Sequence, residues 1–341
     1  MQTNPTGLPF DDIRALMASL PGPDEGARDA ALERQGRLVK PPGALGRLED
    51  IAVHLATWQG KVMPTADRPM VAVFAGTHGV SAQGVSAYPG SVTRQMMDTF
   101  TAGKAAVNQI CATFDAGLRV FDLALDLPTG DITREAALDE RACAATMAFG
   151  MQAIAGGADV LVLGEMGIGN TTVAAAVCHG LYGGAPEDWV GAGTGATGDV
   201  LARKIAAVGT AVKLHRTALS DPLEVLRRLG GRELAAMAGA ILSARHERVP
   251  VILDGYVVTA AAAVLHALDP HALDHCLAGH VSGEKAHGAL LARLGLVPLL
   301  DLGMRLGEGS GGALAVGIVK AAVACHRGMA TFAEAGVTDK A

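Results

Sequence analysis

Four glycines surround a single carboxylate in the motif RLGEGSGG at residues 305–312, and an apolar run at residues 313–316 follows directly. Glycine lets the backbone approach a ligand closely, and a glycine-rich turn that opens a helix presents unpaired N–H groups to an anion. A carboxylate in such a turn repels phosphate. We therefore expect Glu308 to have another task, such as accepting a proton from a substrate held beside the phosphate. The alternative is an ordinary helix start, where the helix dipole favours a glutamate.

A second glutamate lies in a similar turn. Residues 159–163 predict a buried strand, and the turn GEMGIGNTT at residues 164–172 follows with Glu165 as its only acid. The turn superficially resembles those of dinucleotide-binding and P-loop proteins, but it lacks the P-loop lysine and the GxGxxG spacing. The first predicted strand is followed by Gly-Thr-His-Gly at residues 76–79, which also disfavours a Rossmann dehydrogenase.

Three further segments offer polar groups. A third glycine cluster at residues 191–198 precedes a helix that carries Lys204, the best-placed cation to meet a phosphate from the loop above. The alternative for this lysine is a solvated helix face. Asp254 ends a predicted strand. His280 and Ser282 offer a nucleophilic pair, but residues two apart on a loop rarely aim at each other.

The elements that must position these turns follow a repeated order. Roughly six apolar runs of strand length are each followed by glycine and then a helix, which predicts an α/β fold with a parallel sheet and right-handed crossovers. The glycine turns should gather at the carboxyl edge of that sheet, where such folds bind ligands. The same pattern predicts unbroken helices over residues 92–112 and 134–156.

Composition excludes several classes of function. The net charge is −6 and no basic tract is present, which argues against nucleic-acid binding. The five cysteines are far apart, which predicts a reduced, cytoplasmic protein without a cysteine-based metal site. The N-terminus does not resemble a signal peptide, and Asp254 and Gly255 interrupt the most apolar run, so no membrane span is expected. Many backbone donors and one base, without a metal motif, suit group transfer from a phosphorylated sugar.

Five motifs, in order along residues 38–324, together resemble the nicotinate-nucleotide–dimethylbenzimidazole phosphoribosyltransferase family. They are LVKPPGALGRLE at 38–49, HGV through GVSAYP at 78–89, GEMGIGNTT at 164–172, VILDG at 251–255 and RLGEGSG at 305–311. The resemblance implies transfer of the phosphoribosyl group from nicotinate mononucleotide to 5,6-dimethylbenzimidazole. The products would be α-ribazole 5′-phosphate and nicotinate, with inversion at the anomeric carbon. It also implies a homodimer, with no cofactor and no metal.

The resemblance assigns roles to individual residues. Glu308 would be the general base, and Gly307 would donate a backbone N–H to the nucleotide phosphate. The other positions that match the mononucleotide site are Glu165, Gly167, Gly193, Lys204 and Ser282. The benzimidazole slot would be lined by flat or flexible apolar groups, namely Tyr88, Met96, Met166, Ile168 and Leu306. Many relatives have Ala-Asp-His-Gly at residues 76–79, so no role is expected for an acid there.

The implied fold is a Rossmann-like parallel sheet flanked by helices, with a small helical domain from both chain ends. We expect residues 1–60 and 313–341 to form the small domain, and residues 61–312 to form the catalytic α/β domain. Two other functions remain open. One is a related transferase with a different azole acceptor, and the other is a mononucleotide-binding protein without catalysis.

Overall fold

The computed structural model describes residues 7–338 and contains a six-stranded parallel sheet. Residues 1–6 and 339–341, at the ends of the predicted small domain, lie outside the described part. The strands are β1 Pro69–Ala75, β2 Gly117–Asp122, β3 Val160–Met166, β4 Val251–Leu253, β5 Cys276–His280 and β6 Pro298–Leu300. Their order across the sheet is β2-β1-β3-β4-β5-β6. The predicted α/β class and strand number are confirmed.

Helices cover both faces of the sheet. They are α1 Phe10–Ala18, α2 Glu25–Arg37, α3 Arg47–Gln59, α4 Val92–Thr101, α5 Ala106–Thr113, α6 Glu140–Gly150, α7 Asn170–Tyr182, α8 Pro186–Trp189, α9 Gly198–His215, α10 Pro222–Leu229, α11 Arg232–His246, α12 Tyr256–Leu268, α13 His287–Arg293, α14 Ser310–Gly328 and α15 Phe332–Ala335. Within residues 7–338, no helix combines the length and apolarity that a membrane span requires.

Two predicted helices are wrong in extent. The helix predicted over residues 92–112 divides into α4 and α5, because the chain turns at Gly103 with a φ of +70°. The helix predicted over residues 134–156 is reduced to α6. It begins only after Asp139, whose carboxylate accepts the Ala142 N–H at 2.7 Å, and after Gly150 the chain continues as a short 3₁₀ turn. The alanine content suggested that the helix extends beyond α6 at both ends. The loop before α6 instead joins the end of α10 through backbone hydrogen bonds from Ala137 and Leu138.

The core divides into two layers, one on each face of the sheet. On one face, α6, α7, α11 and α12 bury the larger cluster with the inward side chains of β1 and β3. On the other face, α3, α5 and α14 pack over the alternate side chains of the same strands. Because both faces are covered, the central strands are apolar throughout, as parallel strands require.

The chain ends pack in different places. The helices α2, α3 and α14 contact one another, and Arg34 donates from Nε to the carbonyl of His326 at 2.8 Å. In contrast, α1 packs against α6 of the large layer, and its Arg14 pairs with Asp221 at 2.6 Å. At the sheet edge, the guanidinium of Arg47 donates to the carbonyls of Val297 and Pro298 at 2.9 and 2.5 Å.

The side of the sheet to which successive strands are added changes between β1 and β3. From β1 the chain adds β2 on one side, then returns to add β3 and every later strand on the other side. Such a reversal opens a crevice above the carboxyl ends of the two strands, which is where open α/β sheets bind ligands. The turn at residues 164–172 lies at this crevice, and the turn at residues 305–312 reaches it from the far side of the sheet.

Candidate active site

The turn around Glu308 lies directly against the end of β3. Gly307, Glu308 and Gly309 all have left-handed backbones, with φ of +83°, +64° and +77°. The Glu308 N–H donates to the carbonyl of Glu165 at 3.2 Å. A Cβ at Gly164 would collide with the backbone of Gly309, so the close approach of the turn requires glycine there. Glu308 is the single side chain in this left-handed stretch, a conformation that costs energy for any residue but glycine.

Asp254 reaches the same turn from the end of β4. Its carboxylate accepts the N–H of Gly309 at 3.2 Å and the N–H of Gly312 at 2.8 Å. Gly309 is the residue directly before α14 and Gly312 lies in its first turn, and α14 has no capping side chain of its own. The Nε2 atom of His280 lies 3.4 Å from the same carboxylate. Asp254 is 1% exposed, so this carboxylate is withdrawn from water.

Glu165 and Glu308 are both buried, which changes their acidity. The amide of Asn170 donates to the Glu165 carboxylate. Burial, followed by the negative charge of Asp254, raises the pKa of Glu165 to about 8. The same two causes raise the pKa of Glu308 to about 7. Glu308 also has a buried oxygen, Oε2, without a hydrogen-bond partner among residues 7–338. A carboxylate in this state can take a proton near neutral pH.

Lys204 is buried rather than solvated, so the helix-face alternative for it is wrong. It is 1% exposed, and its ammonium donates to Thr171 Oγ1 at 2.8 Å and to the carbonyl of Gly191 at 2.9 Å. Burial lowers its pKa to about 8, while the charge of Glu284 acts in the opposite direction. Glu284 also accepts the N–H of Gly193 at 2.6 Å. The third glycine cluster is therefore held between a buried cation and a buried acid.

Ser282 and His280 do not form a nucleophilic pair. His280 faces Asp254, and the N–H of Ser282 donates to Nδ1 of His287 at 2.9 Å. The other nitrogen of His287 lies 2.9 Å from Thr259 Oγ1, which donates to the carbonyl of Gly255. Since Nδ1 accepts a hydrogen bond, His287 is a neutral Nε2–H tautomer, and burial lowers its pKa to about 3. This chain of hydrogen bonds fixes the Ser282 loop to the start of α12.

Most residues proposed for the site line one cleft at the crevice. Those that the sequence suggested are Glu165, Met166, Gly167, Ile168, Gly193, Ser282, Leu306 and Gly307. Gly167, Ile168 and Gly193 also line an adjoining depression with Lys204 and residues 85–87. Glu308 follows Gly307 directly and is 5% exposed.

Two of the proposed apolar residues lie outside the cleft lining. Tyr88 follows the segment at 85–87 and is 52% exposed. Met96 is half-buried in α4, where it packs against the α14 side of the core. Leu306 lines the cleft with half of its side-chain surface exposed. The apolar side of the cleft therefore consists chiefly of Met166, Ile168 and Leu306.

Sequence reasoning missed several polar residues. Asn170, Thr171 and Glu284 line the cleft, and the sequence alone assigned no role to any of the three. Asn170 lies five residues after Glu165 in one glycine turn, and that spacing was an available signal. His78 forms a fully buried 2.7 Å pair with Glu233 of α11, beneath the turn that contains Gly167. No spacing along the chain links these two residues, since they are far apart in sequence.

Comparison with known proteins gives matches over nearly the whole chain. A family model described as phosphoribosyltransferase matches residues 20–337. This chain is 68% identical to the nicotinate-nucleotide–dimethylbenzimidazole phosphoribosyltransferase of Sinorhizobium medicae (strain WSM419). It is also 68% identical to that of Rhizobium meliloti (strain 1021). Both alignments span 335 residues, 98% of this chain and 99% of the relative. The CobT protein of Thermus thermophilus, known from a crystal structure, is 41% identical, with a TM-score of 0.86 over 92% of this chain and 100% of that one.

Proposed function

The chain belongs to the nicotinate-nucleotide–dimethylbenzimidazole phosphoribosyltransferase family, and from this we propose the reaction that its site performs. The protein transfers the 5-phosphoribosyl group of nicotinate mononucleotide to 5,6-dimethylbenzimidazole. The unprotonated ring nitrogen of the acceptor forms the new bond to the anomeric carbon. The bond to the pyridinium nitrogen breaks, and its electron pair stays on the departing nicotinate. The proton on the other ring nitrogen of the acceptor must leave, so the reaction needs one base.

We propose Glu308 as that base, and its environment is the observation that carries the proposal. The carboxylate is buried, its Oε2 atom is uncommitted among residues 7–338, and its pKa is raised to about 7. A base is most effective when its pKa lies near the working pH, because it is then both available and strong. The left-handed backbone at Glu308 is a local strain of the kind that functional sites retain.

The nucleotide side of the cleft supports the assignment of the donor substrate. Lys204 supplies a buried positive charge beside Gly193, and Arg305 lines the same cleft. A buried ammonium with a pKa lowered to about 8 gains a strong partner when a phosphate arrives. A cation in the cleft favours the ionised forms of Glu165 and Glu308, which suit the positive charge of the pyridinium ring and the positive charge that develops on the ribose.

The acceptor side is apolar and shallow. Met166, Ile168 and Leu306 offer adaptable surfaces that suit a planar bicyclic ring. We propose that Tyr88 and Met96 complete this side only when the segment around residue 88 moves toward the bound acceptor. Another azole of similar size is the alternative acceptor, since these residues offer no polar contact specific to the methyl-bearing edge of the ring.

The reaction is tested by product analysis. Purified protein is mixed with nicotinate mononucleotide and 5,6-dimethylbenzimidazole, and the products are separated by chromatography. Equal amounts of nicotinate and a ribosylated benzimidazole phosphate are expected. Bound but intact nucleotide would refute the proposal in favour of a binding protein without catalysis. A panel of azoles then ranks the acceptors.

The base is tested by substitution. Glu308→Gln keeps the size of the side chain and removes its basicity, so we expect kcat to fall about 10²- to 10⁴-fold with a small change in nucleotide KM. Glu247→Gln, an exposed glutamate beyond the end of α11, is the matched control and should behave as the unsubstituted protein. A Glu308→Gln protein with full turnover would refute the role of Glu308.

We also propose a cytoplasmic homodimer that contains a small helical unit. Large apolar side chains lie exposed on loops near the carboxyl edge of the sheet, including Leu127 and Leu302 at 64% and 61% exposure. A second copy would cover such surface, as protein interfaces commonly do. The contacts among α2, α3 and α14 support a helical unit made from both chain ends. Light scattering on the purified protein measures the mass, and a monomer at micromolar concentration would contradict the dimer.

A further inference from the structure

We propose that Asp254 is a positioning residue for this reaction, holding the Glu308 turn at the cleft and making Glu308 a stronger base. The inference rests on the proposed function, because it concerns the base of that reaction. Asp254 touches the glycines on either side of the helix start and is not itself a residue that lines the cleft.

The geometry first indicates a mechanical role. The two hydrogen bonds from Gly309 and Gly312 tie the start of α14 to the end of β4. Gly309 is the residue directly after Glu308, and both have left-handed backbones. Left-handed backbone at a glutamate persists only when neighbouring contacts hold it. The Asp254 carboxylate supplies two of those contacts, and the bond from the Glu308 N–H to the carbonyl of Glu165 supplies a third.

The charge of Asp254 is more than capping requires. Serine, threonine or asparagine caps a helix start about as well as aspartate does. A buried carboxylate beside two others is costly, since each disfavours the ionised form of its neighbours. Such an arrangement is typical of active sites in which neighbouring carboxylates raise the pKa of a catalytic carboxyl group. We infer that the charge is retained for its effect on Glu308 and Glu165.

The groups that face this carboxylate come from several elements. Glu165 lies at the end of β3, Glu308 precedes α14, and His280 at the end of β5 has its Nε2 atom 3.4 Å away. The negative charge of Glu233 in α11 also disfavours the ionised form of Glu165. The two nearby cations have other partners. Arg305 Nη1 donates to the carbonyl of Gly193 at 3.4 Å, and Lys204, in the adjoining depression, donates to Thr171 Oγ1 and to the carbonyl of Gly191. Near Glu308 the balance of charge is therefore negative.

Asp254→Asn affects both roles, and two readouts distinguish them. Its carbonyl oxygen can still accept the Gly312 N–H, but its amide nitrogen cannot accept the Gly309 N–H, so the turn loosens. We expect kcat to fall roughly 10- to 100-fold from misplacement of the base, with little change in nucleotide KM. The acidic limb of the kcat–pH profile should also move to lower pH, because Glu308 ionises more easily without a negative neighbour. A purely structural residue would not move that limb.

A second variant and a control complete the test. Asp254→Ser also removes the charge while keeping one acceptor, and it should move the acidic limb in the same direction. Asp139→Asn removes the capping carboxylate of α6, away from the cleft, and should leave both kcat and the profile unchanged. Circular dichroism checks that each variant is folded.

The outcomes are distinct. An unsubstituted protein that makes no product refutes the proposed function itself. An active protein whose two folded Asp254 variants keep the kcat and acidic limb of the unsubstituted enzyme overturns the positioning role. An equal loss in Asp139→Asn also overturns it, since capping in general would then be the cause. Unfolding of both Asp254 variants, with Asp139→Asn folded, would assign Asp254 to stability and overturn the catalytic inference.

Discussion

Replacement of the buried Lys204 by methionine should change the stability of the ligand-free protein by an amount that depends on pH. Lys204 is 1% exposed, and burial lowers its pKa from 10.5 to about 8. At pH 7 the folded state holds this ammonium at a cost of about 3 kcal/mol relative to the unfolded chain. Methionine has a similar length and no charge, so Lys204→Met removes that cost.

The sign follows from the proton count. Between pH 8 and pH 10.5 the unfolded chain keeps the lysine proton that the folded protein has released, so the stability of the unsubstituted protein rises with pH in this window. The variant lacks the group and lacks that rise. The advantage of Lys204→Met should therefore shrink by about 2–3 kcal/mol between pH 7 and pH 10. Loss of the hydrogen bonds to Thr171 and Gly191 also destabilises the variant, but it does so equally at both pH values.

Urea unfolding of both proteins at pH 7 and pH 10 gives the free energy of unfolding of each. The difference between the two proteins is then compared between the two pH values. Lys213→Met, on the exposed side of the same helix α9, is the matched control and should show no pH-dependent gain. In the assay, Lys204→Met should raise the nucleotide KM about 10- to 100-fold, because a charge-assisted contact with phosphate is lost. A stability difference that is the same at both pH values would refute the buried, pKa-shifted lysine, and an unchanged KM would refute its contact with the phosphate.

Two further expectations follow from the geometry of the Glu308 turn. The kcat of the unsubstituted enzyme should fall as the pH drops through about 7, because the pKa of Glu308 is raised to about 7 and only its ionised form accepts a proton; a flat profile from pH 5 to pH 8 would contradict this. Gly164→Ala should lose activity and roughly 1–3 kcal/mol of stability, since the added Cβ would collide with the Gly309 backbone. Gly36→Ala, where an added Cβ meets no atom within 4 Å near the end of α2, should be neutral or stabilising by thermal unfolding.

The sequence predicted the elements that position the site because their signals are local. Most of the six strands are short apolar runs with a glycine at or soon after their carboxyl end, and the carboxyl edge of a parallel sheet gathers the turns that follow them. Glu165 and Glu308 were therefore expected to meet, and the hydrogen bond from the Glu308 N–H to the carbonyl of Glu165 joins their backbones. Alanine-rich segments gave a weaker signal, since alanine at residues 151–156 is compatible with a helix but does not require one.

The long-range polar contacts were beyond sequence reasoning. Whether Lys204 faces water or the protein depends on α7 and on the loop at residue 191, which pack on it from elsewhere in the chain. The use of Asp254 as a cap for α14 joins residues 55 and 58 positions apart, and the pairing of His78 with Glu233 joins still more distant ones. Such contacts are set by the packing of helices on the sheet. No periodicity along the chain records them.

The hydrogen bonds from Arg47 to the start of β6 have a consequence for aggregation. An outer strand presents unpaired backbone groups to which another chain can add, and proteins commonly block such edges with charged side chains. Here the guanidinium at the start of α3 occupies the carbonyls of Val297 and Pro298. The proline also withholds one N–H from any incoming strand. A shortened protein that lacks α3 would expose this edge, so the helical segment protects the sheet from adding strands of other molecules.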